Sequence, residues 1–456
     1  MTNWTPNIER KGAPLYLALA RSIAEAIDRG ELSPGQQLPT QRELAERLEI
    51  ALTTVTRGYR EAERRGLVRG EVGRGTYVSG SAAVDGGGEG DEGGPVNLRP
   101  NTLLPLPMMT ELQEALAAVV REPNPALFDY GPHGGRWRHR EAGAEWLGRV
   151  GLRAAADRVV VTSGAQHAMA VALAAEVEPG DAVLVEEVTY SGMKCLAGLL
   201  GVRLEPLPLD GEGILPDALR AACQAHRPAA LYCMPTLQNP TAAVMSEARR
   251  REVAEIVNDG GLALVEDDSY GFLLPELPRL SALCERAYYI AGTSKSLLPT
   301  LRIGYLRCPV EAVDRVEAKI AATTYLASPH AAEVMARWIA DGTAERVMKW
   351  KGEEARARQE IAARALTNWE YRVHPVSPHG WLSVPEPWSA REFARQAADR
   401  GALVTPADVF AAERDRVPHA VRVCIGPPRS RAALERGLTA LDRTLGSGAE
   451  SLEVVI

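Results

Sequence analysis

Lysine is scarce in this sequence. Among 52 Lys and Arg residues in a chain of 456 there are six lysines, Lys11, Lys194, Lys295, Lys319, Lys349 and Lys351. Any chemistry that requires a lysine amine has few candidates. Cysteine is equally sparse: Cys195, Cys223, Cys233, Cys284, Cys308 and Cys424 are scattered with no CxxC pair. That spacing argues against a disulfide framework or a zinc site and for reduced thiols. His133, His139, His167 and His379 show no metal-ligand spacing, so no metal is expected. No run of about 18 apolar residues occurs, which excludes a membrane helix. The opening MTNWTPNIERKG lacks the apolar segment of a signal peptide, so the chain is expected in the cytoplasm.

What is present divides the chain. The net charge of −7 is uneven: residues 1–80 hold 12 basic and 10 acidic side chains, the remainder 40 and 49. Arginines 57, 60, 64, 65, 69 and 74 form a basic stripe on an otherwise acidic protein, compatible with nucleic-acid contact at one end. Residues 81–96, SAAVDGGGEGDEGGPV, contain six glycines and four acids and nothing to build a core. They read as a flexible acidic linker, about 20–24 Å long on average. The expected domains are therefore 1–80, the linker 81–96, and 97–456.

The first domain reads as three helices and a hairpin. PLYLALARSIAEAIDRG, from Pro14 to Gly30, has apolar residues at helical spacing. Thr40 and Glu43 make a capping box, followed by Leu44 and Leu48 as a buried stripe. A third helix, about 51–65, carries Leu52, Val55, Tyr59 and Ala62 on one side, and two short strands flank Gly73-Arg74-Gly75. This is the pattern of a winged helix-turn-helix. From 97 onward, apolar strands at 159–162, 182–186, 229–233, 262–266, 288–291 and 303–308 alternate with helices, predicting an α/β fold with a mainly parallel sheet. A long charged helical run, 331–367, opens an α+β subdomain of about 331–456 that includes WLSV and AVRVCI.

The N-terminal motifs, PLYLALARSIAEAIDRGELSPGQQLPTQRELAERL, TTVTRGYREAERRGLV and GRGTYV, resemble the GntR family of bacterial transcription regulators over residues 14–78. The resemblance implies that the third helix enters the major groove of double-stranded operator DNA with Thr53, Thr54, Thr56 and Arg57 near its leading end. It also implies contacts from Arg42 at the start of the preceding helix and from Arg74 at the wing tip. Ala51-Leu52 stand where the family has Ser-Arg.

The remaining motifs resemble fold-type I, class I/II aminotransferases that use pyridoxal 5′-phosphate (PLP). GTSKSLLPTLRIGYL supplies Lys295 for the aldimine, Ser294 and Thr293 as neighbouring donors, and Arg302 for the cofactor phosphate. LALVEDDSYGF supplies Asp267 for the pyridinium nitrogen and Tyr270 for the ring hydroxyl, with Asp268 read as a capping or surface acid. By the same resemblance Asn239 in LQNPTAAVMS bonds the ring hydroxyl, Tyr190 in EEVTYSGM stacks on the ring, and Ala165 and Gln166 in VTSGAQHAM meet the phosphate at a helix N-terminus. Arg422 in AVRVCIGPP matches the arginine that binds a substrate α-carboxylate. Gly292 and Ala242 depart from the family, which has Ser or Thr and Gly there.

The two modules together resemble the MocR-type regulators. That resemblance implies a homodimer formed through the aminotransferase domain, with the PLP site sensing a small amino compound or the vitamin and altering the hold on DNA. The competing reading is a working aminotransferase that carries a DNA-binding domain.

Overall fold

The computed structural model describes residues 4–6, 14–28, 31–32, 36–64, 67–71, 75–78, 94–102, 109–122, 124–386, 388–413 and 416–453. The chain forms two compact units, Met1–Gly90 and Asp91–Ile456.

The first unit contains α1 (Leu15–Asp28), α2 (Gln41–Leu48), α3 (Leu52–Arg64) and the antiparallel pair β1 (Val68–Glu71) and β2 (Gly75–Val78). The Thr40 hydroxyl accepts from Glu43 N and the Glu43 carboxylate accepts from Thr40 N, closing the expected capping box. Leu19, Ile23, Leu44, Val55, Tyr59 and Ala62 are buried together. Leu52 departs from the expected stripe and is 43% exposed, because it opens α3 before the helix reaches the core. At Gly58 a Cβ would lie 2.6 Å from Leu19 Cδ2, so the crossing of α1 and α3 requires glycine there.

The second unit is built on a seven-stranded sheet. Its strands are β4 (Val159–Thr162), β5 (Ala182–Glu186), β6 (Arg203–Leu207), β9 (Ala230–Cys233), β10 (Ala263–Asp267), β11 (Ala287–Gly292) and β12 (Gly304–Arg307), and a small hairpin, β7 (Leu209–Asp210) and β8 (Gly213–Ile214), follows β6. The spatial order is β4-β12-β11-β10-β9-β5-β6, parallel except for β12. The expected strands are present; β6 was not anticipated, since RLEPL has neither alternation nor a continuous apolar run.

Side chains alternate through the sheet. Val160, Val183, Val185, Tyr232, Val265 and Tyr288 meet α6 (Ala165–Ala174), α7 (Ser191–Leu200) and α11 (Val313–Thr323) on one face. Val159, Val161, Tyr289 and Tyr305 pack on the other with α4 (Met109–Arg121), α5 (Trp137–Arg149), α12 (Pro329–Ala340) and α13 (Thr343–Ala365). Leu184, Leu231 and Leu264 meet α8 (Pro216–His226) and α9 (Glu247–Asp259) on that same face. The helical run expected over 331–367 is two helices, α12 and α13. Gly342 at φ +78° turns the chain between them, and Thr343 N donates to Asp341 Oδ1.

A smaller antiparallel sheet, β13 (Tyr371–Arg372), β14 (His379–Ser383), β17 (Ala420–Cys424) and β16 (Thr405–Pro406), packs with α14 (Ala390–Asp399) and α15 (Arg431–Glu453). Here β3 (Val96–Asn97) pairs in parallel with β15 (Ala402–Leu403). Val96, at the end of the segment read as linker, thus starts a strand. Residues 81–93 of that segment lie outside the described residues.

Candidate functional site

Between β4 and β5 the chain runs from one edge of the large sheet through α6 to a strand near the other edge. Crevices at the carboxyl ends of parallel strands around such a crossover are where open α/β sheets bind ligands. The residues marked in the sequence follow these strand ends: Ser163 to Gln166 after β4, Tyr190 after β5, Asn239 after β9, Asp267 ending β10, and Lys295 after β11. Topology brings together positions more than 100 residues apart.

Asp267 is buried on the face of β10 that looks toward α6. Tyr232 stands opposite Val265 in the neighbouring strand, so its phenol reaches diagonally to Asp267 and donates at 3.0 Å; Ser269 Oγ donates at 2.8 Å. Burial pushes the Asp267 carboxyl up, against the lowering effect of those two donors and of Lys295. Asp268 corrects the expectation of a surface acid. It is buried on the opposite face, 3.1 Å from Arg279 Nε, and accepts from Tyr289 OH at 2.7 Å.

Lys295 is partly buried in α10 (Thr293–Ser296), and burial lowers its amine to a pKa of about 8. Its Nζ donates to the Asn101 carbonyl. Behind it lies Lys351 of α13, a buried lysine that sequence reading did not single out. Lys351 Nζ donates to the carbonyls of Lys295 at 3.0 Å and Leu297 at 2.5 Å, and burial lowers it to about 7. The signal was available: Lys351 lies on the buried face one turn from Val347 and one turn from Ala355, both apolar.

Arg302, Ser294 and the start of α6 form a second cluster. Arg302 Nη1 donates to Ser294 Oγ at 3.1 Å and Nη2 to Ser163 O at 3.4 Å. At Gly164, φ +85°, a Cβ would lie 2.6 Å from Arg302 Nη2, so glycine lets the guanidinium lie against the opening of α6. His167 fixes this turn: its Nδ1 accepts from Ser163 N at 3.1 Å, which leaves Nε2 to donate to Thr323 Oγ1 at 2.8 Å. The helix N-terminus presents the Ala165 and Gln166 amides beside an arginine that has no carboxylate partner among the described residues, a setting for a phosphate. Gln166 Nε2 donates to Gly192 O, and its Oε1 is buried without a partner. Thr293 does not join this cluster, because its buried hydroxyl donates to Ile303 O at 2.7 Å.

Tyr190, half-buried, precedes α7 and its ring lies against Gly192, where a Cβ would come within 2.3 Å. Tyr270 is buried with its ring 5.4 Å from that of His379. Asn239 Oδ1 accepts from Arg422 Nη1 at 2.7 Å, so the asparagine and the carboxylate-binding candidate touch. Arg422 Nη2 donates to Arg99 O at 2.7 Å, its guanidinium lies 4.6 Å from the Phe410 ring centroid, and its buried Nε has no partner. Glu186, at the end of β5, accepts from Met234 N and Gln238 Nε2 and so holds the loop that carries Asn239; burial raises it to about 7.

The two departures have local causes. At Gly292 a Cβ would lie 2.8 Å from Ala165 Cβ, so a serine or threonine would collide with the first residue of α6. Ala242 has φ +59° and donates to Gln238 O at 2.7 Å, the conformation a glycine adopts without strain and alanine holds at a cost of about 1–2 kcal/mol.

In the first unit Arg42 and Thr53 are exposed, and Thr54 is partly exposed. Thr56 and Arg57 make internal contacts: Thr56 Oγ1 donates to Gln41 Oε1 at 2.7 Å, and Arg57 lies 4.3 Å from the Tyr16 ring centroid. The Thr56–Gln41 bond fixes α3 against α2, and Gln41 was not singled out from the sequence. Arg74 lies outside the described residues.

Residues 15–78 match the family model of bacterial regulatory proteins of the gntR family, and residues 96–441 match aminotransferase class I and II. The chain is 31% identical over 450 residues to the uncharacterized HTH-type transcriptional regulator YdeF of Bacillus subtilis, covering 97% of both chains. It is 29% identical to the 2-aminoadipate transaminase of Thermus thermophilus over 66% of this chain and 77% of that one. The α-aminoadipate aminotransferase LysN, also of Thermus thermophilus and solved with N-(5′-phosphopyridoxyl)-L-leucine, shares the fold at TM-score 0.69 and 24% identity, covering 79% of this chain and 94% of that one. The two enzymes cover 66% and 79% of this chain, whereas the regulator covers 97% of it. The chain therefore belongs to the MocR-type branch of the GntR family, transcription regulators in which a DNA-binding helix-turn-helix is joined to an aminotransferase class I and II domain.

Proposed function

We propose that the large unit holds PLP through Lys295 and uses it to sense a small amine that bears a carboxylate, thereby altering the hold of the N-terminal unit on its operator DNA. The observation that carries this reading is a set of cations without counterions. Lys295, Arg302 and Arg422 make no ion pair with a carboxylate among the described residues, and Lys295 lies within electrostatic reach of both arginines and of the buried acid Asp267. Unpaired charge near a cleft is costly unless a ligand completes it.

The residues present fit the cofactor. Asp267 offers an anion for a ring nitrogen; Ser294, Arg302 and the Ala165 and Gln166 amides offer donors for a phosphate; Tyr190 and Tyr270 lie within electrostatic reach of Asp267 and Arg422, and Asn239 touches Arg422. When bound, PLP supplies an aldehyde that condenses with amines and a ring that draws electrons from the attached carbon. Lys295, lowered to about 8, has a far larger share of neutral nitrogen near neutral pH than an ordinary lysine, and neutral amine is the form that can attack. Arg422, buried and with an unpartnered Nε–H, takes the carboxylate and favours amines that carry one.

The active unit of this reading is a homodimer. Phe128, Tyr130 and Tyr325 are 66%, 79% and 47% exposed, and Tyr130 and Tyr325 meet edge to face at 5.2 Å. Aromatic clusters of this kind favour coverage by a partner, here a second copy. No helix among the described residues is long and apolar enough to cross a membrane, and the cytoplasm is the compartment this reading requires.

The test is operator DNA binding by the full chain with PLP, titrated with a panel of amino compounds beside Lys295→Ala. One compound should shift the DNA affinity of wild type and leave the variant unmoved. Equal shifts in both would remove Lys295 from sensing. Sustained production of a 2-oxo acid would instead favour the enzyme reading.

A further inference from the structure

One segment links the centre of this site to the part of the chain that follows the acidic region. Residues 94–102 come directly after 81–93 in sequence and run as a strap along the small sheet. Val96 N donates to Gly401 O and Leu98 N to Leu403 O, each at 2.8 Å, and Leu98 O accepts from Cys424 N at 2.9 Å. The strap then enters the site. Arg99 O accepts from Arg422 Nη2 at 2.7 Å, and Asn101 O accepts from Lys295 Nζ. Two nearby carbonyls of one short segment thus hold two of the three cations used in the reading above, Arg422 and Lys295.

The strap is also tied to the cofactor asparagine. Asn101 Nδ2 lies 2.9 Å from His379 Nδ1, and His379 Nε2 lies 2.9 Å from the Gln238 carbonyl, one residue before Asn239. A carbonyl only accepts, so Nε2 carries the proton and Nδ1 accepts from the Asn101 amide. Burial holds this ring neutral, with a pKa of about 3. Gln238 in turn donates to Glu186 Oε2 and Val188 O. His379 therefore joins β14, the Asn239 loop and the strap through its two nitrogens.

Resting on the proposed function, we infer that Asn101 and His379 are positioning residues that register the release of the Lys295 amine and transmit it to the strap. A lysine nitrogen doubly bonded to carbon holds at most one proton; a free amine holds two or three. With PLP bound, exchange with a second amine would form a C=N bond to the incoming nitrogen as the C=N bond to Lys295 breaks. The two protons of the incoming amine end on Lys295, and no oxidant or reductant takes part. The freed nitrogen then donates to Asn101 O, the contact seen here, and His379 keeps that carbonyl in place.

The test uses methoxyamine on the full chain carrying PLP, because it releases the lysine whatever the natural effector. Hydrogen exchange of peptides covering 94–102 is followed alongside the visible spectrum. In wild type, bleaching of the lysine-bound band should slow strap exchange by about 3–10-fold, the protection one added hydrogen bond confers. His379→Ala and Asn101→Ala should lose that slowing, and His379→Gln, which supplies a donor and an acceptor, should restore it. Bleaching in wild type with unchanged strap exchange overturns the inference and leaves the PLP reading standing, as does equal slowing in wild type and His379→Ala. Absence of any band in wild type overturns both.

Discussion

The two faces of β10 hold consecutive acids under opposite electrostatic conditions. Glu266 and Asp268 face α9 and the loop after β10, where Arg250 lies 3.7 Å from Glu266 and Arg279 lies 3.1 Å from Asp268. Leu280 and Ser281 amides complete the Glu266 shell. Asp267, on the other face, has two hydroxyl donors and no ion pair among the described residues. The cations on its side, Lys295, Arg302 and Arg422, are held by carbonyls, hydroxyls and an amide. One face is internally neutralised and serves the architecture. The other withholds its counterions, and it is the face we propose as the site. Burial alone does not separate them, since all three acids are nearly inaccessible.

The largest effect that would sharpen this contrast is on stability. Arg279→Met leaves Asp268 buried without its cation and should destabilise the fold by about 3–5 kcal/mol, read as a lower urea midpoint. A change under about 1 kcal/mol would break the comparison. Asp267→Asn should keep the midpoint but weaken PLP, titrated by absorbance, by about 1.5–3 kcal/mol for a lost charged partner. If it unfolds the chain instead, Asp267 is architecture too.

Arg422→Met should weaken carboxylate-bearing amines by about 1.5–3 kcal/mol and leave amines without a carboxylate nearly unchanged; equal loss for both would detach Arg422 from the carboxylate. Arg42→Ala in the N-terminal unit should reduce the salt slope of DNA binding by about one phosphate contact, and an unchanged slope would remove Arg42 from the interface.

A further effect, spread over a range of pH, concerns Lys351. Its native pKa of about 7 lies below the ordinary lysine value of 10.5, so the unfolded chain binds more protons between those values. Stability at 25 °C should therefore rise with pH across that window. Lys295, at about 8, contributes in the same direction. Lys351→Met should flatten the rise in urea midpoint from pH 7 to 10, and an undiminished rise would show that Lys351 does not titrate there.

The winged helix was legible because its signals are local: a capping box, a stripe of Leu44, Val55, Tyr59 and Ala62, and a glycine-flanked turn. Lys295, Asp267, Asn239, Arg302 and Arg422 were legible as motifs; the first four lie at or near strand ends of the large sheet, and Arg422 on β17 of the small sheet meets Asn239 there. What stayed hidden depends on pairing across strands and subdomains. Tyr232 reaches Asp267 only through the β9–β10 register, and His379 meets Asn101 from 278 positions away. Asp268 was misread because adjacent positions on a strand face opposite ways, and nothing nearby in sequence announces Arg279. Thr56 and Arg57 suit a DNA-facing helix by type, yet Gln41 and Tyr16 engage them.

The measurement that bears most directly on the central claim is the visible absorption spectrum of the full chain with PLP, beside Lys295→Ala. The account predicts a lysine-bound band in wild type that is missing from the variant and is shifted by a carboxylate-bearing amine. A wild type with no such band after PLP is added, or a variant whose band matches wild type, would contradict it.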